Sequence, residues 1–263
     1  MKKPLFDHLQ QDSYALREAA PEWRETMEQL VSWSGQQVVD LGCGGGIYTK
    51  ALSHMNVEHV HGIDASETML QGAREYVGDV SNVTFLQGET AAIPLGNERV
   101  DTVVERAVIH HLQRAQLQEN LQELYRVLKP GGQVIIQDRT LDDCFLPPDK
   151  EHLRGHIFSM FPRLKKMEKV RRHSSNQVIR SLHQAGFHKI KIKSLLETRQ
   201  KYPSRDKVYE DIMNRTGRTI LHELNDDELR QLATTIYHQY KAHESIQEQD
   251  RWTIWIAEKP IDL

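Results

Sequence analysis

Val38-Val39-Asp40-Leu41-Gly42-Cys43-Gly44-Gly45-Gly46 reads as a short apolar strand running straight into a glycine-rich turn. Glycine tolerates left-handed backbone and lets a ligand approach the main chain, so a strand ending this way opens a binding loop with a helix behind it. A dinucleotide fingerprint spaces its third glycine three positions after the second, whereas here the glycines fall at Gly42, Gly44 and Gly46, with Asp40 two residues before the first. Pyrophosphate prefers a helix N-terminus with little negative charge nearby. An acid at Asp40 instead favours a ligand carrying an ammonium or sulfonium, directly or through water.

Working outward, short valine- and isoleucine-rich runs at 36–41, 59–63, 83–86, 100–104 and 133–137 alternate with stretches of helical spacing at 47–55, 66–77 and 115–128. The last of these is stopped by Lys129-Pro130-Gly131-Gly132. The alternation predicts five βα units and an α/β fold with a parallel sheet. Residues 16–33 read as an amphipathic helix with Leu16, Trp23, Met27, Leu30 and Val31 on or near one face. After the fifth strand, 141–173 is interrupted by proline and holds Arg163, Lys165, Lys166, Lys169, Arg171 and Arg172, and it reads as a helical cap. A core helix over 174–185 ends at Gly186, and 187–196 and 251–257 alternate like strands. Between them, 204–249 is a helical insertion, with Asn225-Asp226-Asp227-Glu228 resembling a capping box. The expected organisation is one domain over 1–263: an N-terminal helical segment 1–34, a ligand-binding core 35–140, a cap 141–173, the rest of the core at 174–203 and 250–263, and the insertion 204–249.

A length of 263 residues suits one large domain, and a net charge of -3 gives no overall electrostatic case for a polyanionic partner. Nucleic acid is therefore the lesser expectation. There are two cysteines, Cys43 and Cys144, and a disulfide at Cys43 would obstruct the loop, which points to a reducing compartment. Lys2 and Lys3 have no apolar stretch behind them and no later run approaches the length of a membrane span, so a cytoplasmic location without membrane attachment is expected. No motif encodes an oligomeric state.

About twenty residues past the glycine turn, His61-Gly62-Ile63-Asp64-Ala65-Ser66 puts an acid at the end of the second strand, where Asp64 can accept from both hydroxyls of a ribose. The alternative, an aspartate capping the next helix, is better filled by Ser66. After the third strand, Gln87-Gly88-Glu89-Thr90-Ala91-Ala92-Ile93-Pro94 supplies a carboxylate and a backbone amide for a base edge. With Asp101 to Leu112 and Leu128-Lys129-Pro130-Gly131-Gly132, these motifs over 36–140 resemble the class I S-adenosylmethionine (SAM)-dependent methyltransferases, in particular the broad group that includes quinone-biosynthesis and small-molecule methyltransferases. The resemblance implies a Rossmann-like seven-stranded sheet, mostly parallel with an antiparallel last strand at 251–257, helices on both faces, and caps after strands 5 and 6. It implies that Asp40 and the glycines Gly42, Gly44 and Gly46 surround the methionine moiety, that Asp64 holds the ribose, that Glu89 receives the adenine amino group and that Thr90 offers its backbone amide to the ring, with Cys43 and Ala65 also among the cofactor-binding residues. Arg106 could pair with the methionine carboxylate. The family usually has aspartate where Glu89 stands.

The expected activity is methyl transfer from SAM, with S-adenosylhomocysteine (SAH) as product, to a small-molecule acceptor. An RNA methyltransferase, prompted by the basic run Arg163 to Arg172, and a non-catalytic SAM-binding protein are the competing readings. If the acceptor must lose a proton, the candidates are His110, His111, Asp138, His156 and His173. Adjacent histidines diverge and no third ligand has suitable spacing, so no metal is expected at His110-His111. Tyr202, Tyr209, Arg215 and Arg218, in or beside the insertion, are candidates for the acceptor pocket.

Overall fold

The structure is a computed structural model and describes residues 18–261. Leu16 and the N-terminal lysines lie outside the described residues. Strands β1 (Gln37–Leu41), β2 (His59–Asp64), β3 (Val83–Gln87), β4 (Val100–Arg106), β5 (Leu128–Asp138), β6 (His188–Tyr202) and β7 (Ile246–Glu258) form a seven-stranded sheet in the order β3-β2-β1-β4-β5-β7-β6. β1 pairs in parallel with both β2 and β4, so the order reverses there, and ligands of such sheets gather beyond the carboxyl ends of the strands at that point. β7 runs antiparallel to β5, with Gln133 opposite Glu258 and Asp138 opposite Thr253.

The helices are α1 (Pro21–Leu30), α2 (Ile47–Ser53), α3 (Glu67–Val77), α4 (Arg114–Val127), α5 (Leu141–Cys144), α6 (Arg154–Met160), α7 (Lys165–Arg171), α8 (Ser175–Gln184), α9 (Arg205–Met213) and α10 (Asp226–Tyr237). The N-terminal helix is shorter than its apolar pattern suggests. It begins at Pro21, whose fixed φ suits a first turn, and buries Trp23 and Met27. Ser66 caps α3 by accepting from the Met69 amide. α8 ends in a Schellman arrangement, in which Gly186 takes φ 101° and the Phe187 amide donates to the Leu182 carbonyl at 3.1 Å.

The five units are not all alike. The crossover from β3 to β4 is a loop over 88–99, so the third βα unit has no helix. α4 holds this loop from the side: Glu123 accepts from the Ile93 amide at 2.8 Å, and Arg126 donates to the carbonyls of Ile93 and Leu95 and to Asn97. The strap replaces the packing that a crossover helix would supply.

The chain divides into two compact units: one reaching from the N-terminal part to Asp138 with His173–Leu195 and Thr253 onward, the other formed by Arg139–Arg172 and Leu196–Trp252. The boundaries differ from the expected cap and insertion because the second unit takes strand residues 196–202 and 246–252 as well as helices. In the first unit, Val39, Leu41, Ile63, Val103, Val134 and Ile136 from the sheet pack with Leu117, Leu121 and Leu124 of α4 and with Val178 and Leu182 of α8.

The second unit has its own apolar core, including Ile157, Phe158, Val208, Ile212, Leu229 and Ile236. It also buries charge. Glu248 accepts from Arg199 at 2.7 Å, from the Tyr202 hydroxyl at 3.1 Å and from Arg218, while Asp250 accepts from Arg139 and Arg154. Two residues expected to line an acceptor pocket, Tyr202 and Arg218, thus have their polar groups committed to this network. Tyr202 also donates to Asp211 at 2.8 Å. Arg215 donates to the carbonyls of Leu221 and Leu224 and to Asp226, which fixes the turn entering α10. Asn225 and Glu228 form the capping box expected there, at 2.9 and 3.1 Å. Tyr209 lines a groove between α9 and α10 with Asp206, Glu210, Thr234, Tyr237 and His238.

Candidate active site

The glycine turn is shaped by what surrounds it. Gly42 has φ 70°, and a Cβ on it would lie 2.3 Å from Val108 Cγ2. Gly46 has φ 81°, and a Cβ there would press on Ala73 and Val77 of α3 at 3.0 and 3.1 Å. Both positions demand glycine on conformational and steric grounds. The Gly42 and Cys43 amides donate to the Ile63 carbonyl at 2.7 and 3.0 Å, so the turn is tied to the end of β2. Burial pushes the Cys43 thiol up, with Asp40 and Asp64 adding to the effect, and it stays protonated.

Asp64 is a second tie. Its Oδ2 accepts from the Gly44 amide and its Oδ1 from the Ser66 amide, both at 2.9 Å. Each carboxylate oxygen accepts more than one hydrogen bond, so two ribose hydroxyls fit the remaining lone pairs. Asp64→Ala removes a loop staple and, on the expectation that Asp64 also accepts from the ribose, SAM affinity should fall by about 1.5–3 kcal/mol. Asp64→Asn, which keeps one acceptor oxygen, should lose less. Calorimetry of the two variants checks this, and equal affinities in both and in the wild type would show that Asp64 has no part in binding.

Asp40 is buried and accepts from the Thr49 hydroxyl at 2.6 Å. Burial pushes its carboxyl up to about 6; the Thr49 hydrogen bond works against that, Asp64 adds to it and Arg106 opposes it. A cationic ligand favours the ionised form. SAM affinity is thus expected to be constant above pH 7 and to fall as the pH drops below about 6, approaching tenfold per unit, because the proton must leave before the cation binds. Calorimetry across that range checks it, and an affinity independent of pH between 5 and 7 would remove Asp40 from the site.

The Gly88 amide donates to the Asp64 carbonyl at 3.1 Å, which brings the turn after β3 beside the end of β2. In that turn Glu89 is exposed and its carbonyl accepts from the Ala92 amide at 3.0 Å, with Thr90 between them. The Ala65 carbonyl accepts from Gln87 Nε2 at 3.0 Å. Arg106, at the end of β4, stacks its guanidinium on the Tyr48 ring at 4.1 Å, and Trp23 of α1 meets the same ring edge-on at 4.7 Å. Trp23 in turn donates to Gln137 at 2.8 Å. Thr49, Tyr48, Trp23 and Gln137 are side chains the motifs did not reveal. An aromatic two residues past Gly46 is the one local signal that pointed to any of them.

Past β4, Ala107 takes φ 58°, its amide donates to the Gln137 carbonyl at 2.8 Å, and the chain turns into a 3-10 segment, Ile109–His111. There His110 meets Asp138, at the end of β5. The His110 amide lies 3.1 Å and Nδ1 2.9 Å from Asp138 Oδ2. The His111 ring is 3.9 Å from that of His110, and the His111 residue is exposed. Of the other histidine candidates, His173 lies 2.9 Å through Nε2 from the carbonyls of Ile109 and Leu112 and 3.0 Å through Nδ1 from Gln177, so it clamps the segment that carries His110. His156 belongs to the second unit, where it contacts Gln239 at 3.1 Å and burial lowers its pKa. Glu105, fully buried on β4 and hydrogen-bonded to Asn120, is pushed up to about 8 by burial and by Asp138 despite that bond, so it is neutral at pH 7.

The glycine cradle, the buried acid at Asp40 and the acid at Asp64 suit a ligand with a cationic amino-acid end and a ribose. Residues 38–132 match a family described as a methyltransferase domain. An uncharacterized methyltransferase of Synechocystis is 36% identical over 124 residues, covering 46% of this chain and 57% of the relative. The arsenite methyltransferase of Halobacterium salinarum is 35% identical over 124 residues, covering 44% of this chain and 31% of the relative. The chain thus spans about half, or less, of the length of these relatives. The phosphoethanolamine N-methyltransferase 2 of Haemonchus contortus, solved with phosphomonomethylethanolamine and SAH, shares the fold at a TM-score of 0.58 and 20% identity, covering 91% of this chain and 52% of that one. The likeness accounts for the sheet, and the matched residues include the glycine turn. Among the described residues no helix is long and apolar enough to cross a membrane, and both cysteines are free.

Proposed function

We propose that this protein transfers the methyl group of SAM to a small-molecule acceptor, with the His110–Asp138 pair taking the acceptor's proton. The observation that carries the reading is the 2.9 Å contact of His110 Nδ1 with Asp138 at the carboxyl ends of β4 and β5, the sheet edge that also bears the glycine turn. SAM supplies a methyl group on a sulfonium that is already a good leaving group, so the protein's work is to orient, to exclude water and to handle a proton. Asp40 and Asp64 hold the cationic and ribose ends, Arg106 faces the methionine carboxylate, and Glu89 with the Thr90 amide meets the adenine.

A histidine that donates Nδ1–H to a carboxylate presents Nε2 as its base and gains stability as an imidazolium. Asp138, buried and fixed as well by the His110 amide, sets this tautomer. The arsenite methyltransferase among the relatives supports a small acceptor.

The test is incubation with methyl-labelled SAM and fractionated cell extract without added metal. Label in low-molecular-mass product together with SAH supports the reading. Label in RNA moves the acceptor to another class, and SAM bound but never turned over leaves a binding protein.

A further inference from the structure

Helix α7 turns its one acid inward. Glu168 is buried and accepts from Arg172 Nε at 2.7 Å, so its charge is neutralised below the surface. What the helix shows to solvent is positive. Lys166 and Lys169 are exposed, Lys165 and Arg171 are half-buried, and none of the four has an ion pair among the described residues. Arg163 just before them is held by Glu228 at 2.8 Å. Lys166 and Lys169 are three residues apart and Lys165 and Lys169 four, so the ammonium groups share one side of the helix. Val170 beside them is 88% exposed. Lys165 lies 5.5 Å from the centre of the Phe145 ring, and in a chain of net charge -3 this face is a local reversal of sign on which Lys166 and Lys169 have no carboxylate in ion-pair contact among the described residues.

We propose that this face of α7 binds the phosphate backbone of nucleic acid. Lysine ammonium groups on flexible stems suit phosphates as point charges and carry no sequence information, so the binding is sequence-independent. A lipid surface is the poorer match. An interfacial helix needs a broad apolar face, whereas here Val170 stands alone and α7 has seven residues. The proposal concerns binding and holds whichever acceptor is methylated.

The experiment is fluorescence anisotropy of the full chain with labelled bulk tRNA and, separately, with duplex DNA, over 50 to 200 mM salt. With three or four phosphate contacts, affinity for tRNA should fall on the order of 10²-fold across that range. Lys166→Glu with Lys169→Glu should weaken binding at least tenfold at 50 mM salt and lower the salt slope by about two. Its SAM affinity should match the wild type, since both residues are exposed and lie in the other compact unit. A double variant that binds tRNA as the wild type does overturns the proposal, as does an affinity indifferent to salt or no binding at 50 mM. Binding to phosphatidylserine vesicles in preference to both nucleic acids overturns it too and makes α7 a membrane contact.

Discussion

Arg218→Ala is expected to destabilise the helical unit by about 3–5 kcal/mol, the range for removing one partner of a buried ion pair. Arg218 and Glu248 are both buried, and their contact sits in a network with Arg199, Tyr202 and Asp211. Burial works to lower the Arg218 pKa; Glu248, Tyr202 and Asp211 outweigh it and hold that pKa well above its ordinary value. Taking the guanidinium away leaves Glu248 with Arg199 as its one cation and leaves Asp211 with a lost hydrogen bond. Arg218→Lys keeps the charge but loses the two-pronged geometry, so an intermediate loss is expected. Hydrogen exchange of the α9 and α10 amides reads the effect within that unit. The outcome also decides between two roles for Arg218. If it served the acceptor, the alanine variant would keep its protection and lose turnover; a loss of stability below about 1 kcal/mol would sink the structural role.

The same network explains why part of the fold was hidden in the sequence. The glycine turn, the five parallel strands and the Asn225 capping box were legible because each rests on neighbours in the chain. β7 was read only from Arg251 because Glu248 and Asp250 look like solvated residues, and a sequence does not reveal that arginines 30 to 111 residues away neutralise them. The strap on the loop after β3 was equally illegible, since Glu123 and Arg126 hold it from a helix about 30 residues further on. At the candidate site, acids and glycines announced themselves by motif, but the second duty of Asp64 as a staple to Gly44 spans 20 residues. Tyr202 and Arg218 stand out in the sequence by their chemistry alone, which does not reveal their buried hydrogen bonds to Asp211 and Glu248.

For the chemical step, His110→Gln is expected to lower turnover by about 10²–10⁴-fold, the contribution of a positioned general base. Glutamine keeps a hydrogen-bonding side chain of similar reach but cannot take the proton. Asp138→Asn should give a loss of the same kind, because an amide can donate to Nδ1 and so favours the tautomer that places the proton on Nε2. Asp138 also accepts from the His110 amide, so this variant needs a separate check that the 109–111 turn is intact. Hydrogen exchange of the 109–111 amides supplies it, while SAM affinity by calorimetry should be unchanged, since the cradle at Gly42 to Gly46 and the Asp64 staple are left untouched. The pH dependence separates a base from a merely structural histidine. A wild-type rate that rises with pH as the imidazole loses its proton should lose that limb in His110→Gln, with the residual rate flat or following the acceptor's own ionisation. His111→Gln, altering the stacked and more exposed neighbour, is the matched control and should retain both the limb and most of the rate. A wild-type rate and an unchanged pH profile in folded His110→Gln would mean that the acceptor needs no base from this pair, leaving the domain to work by orientation alone.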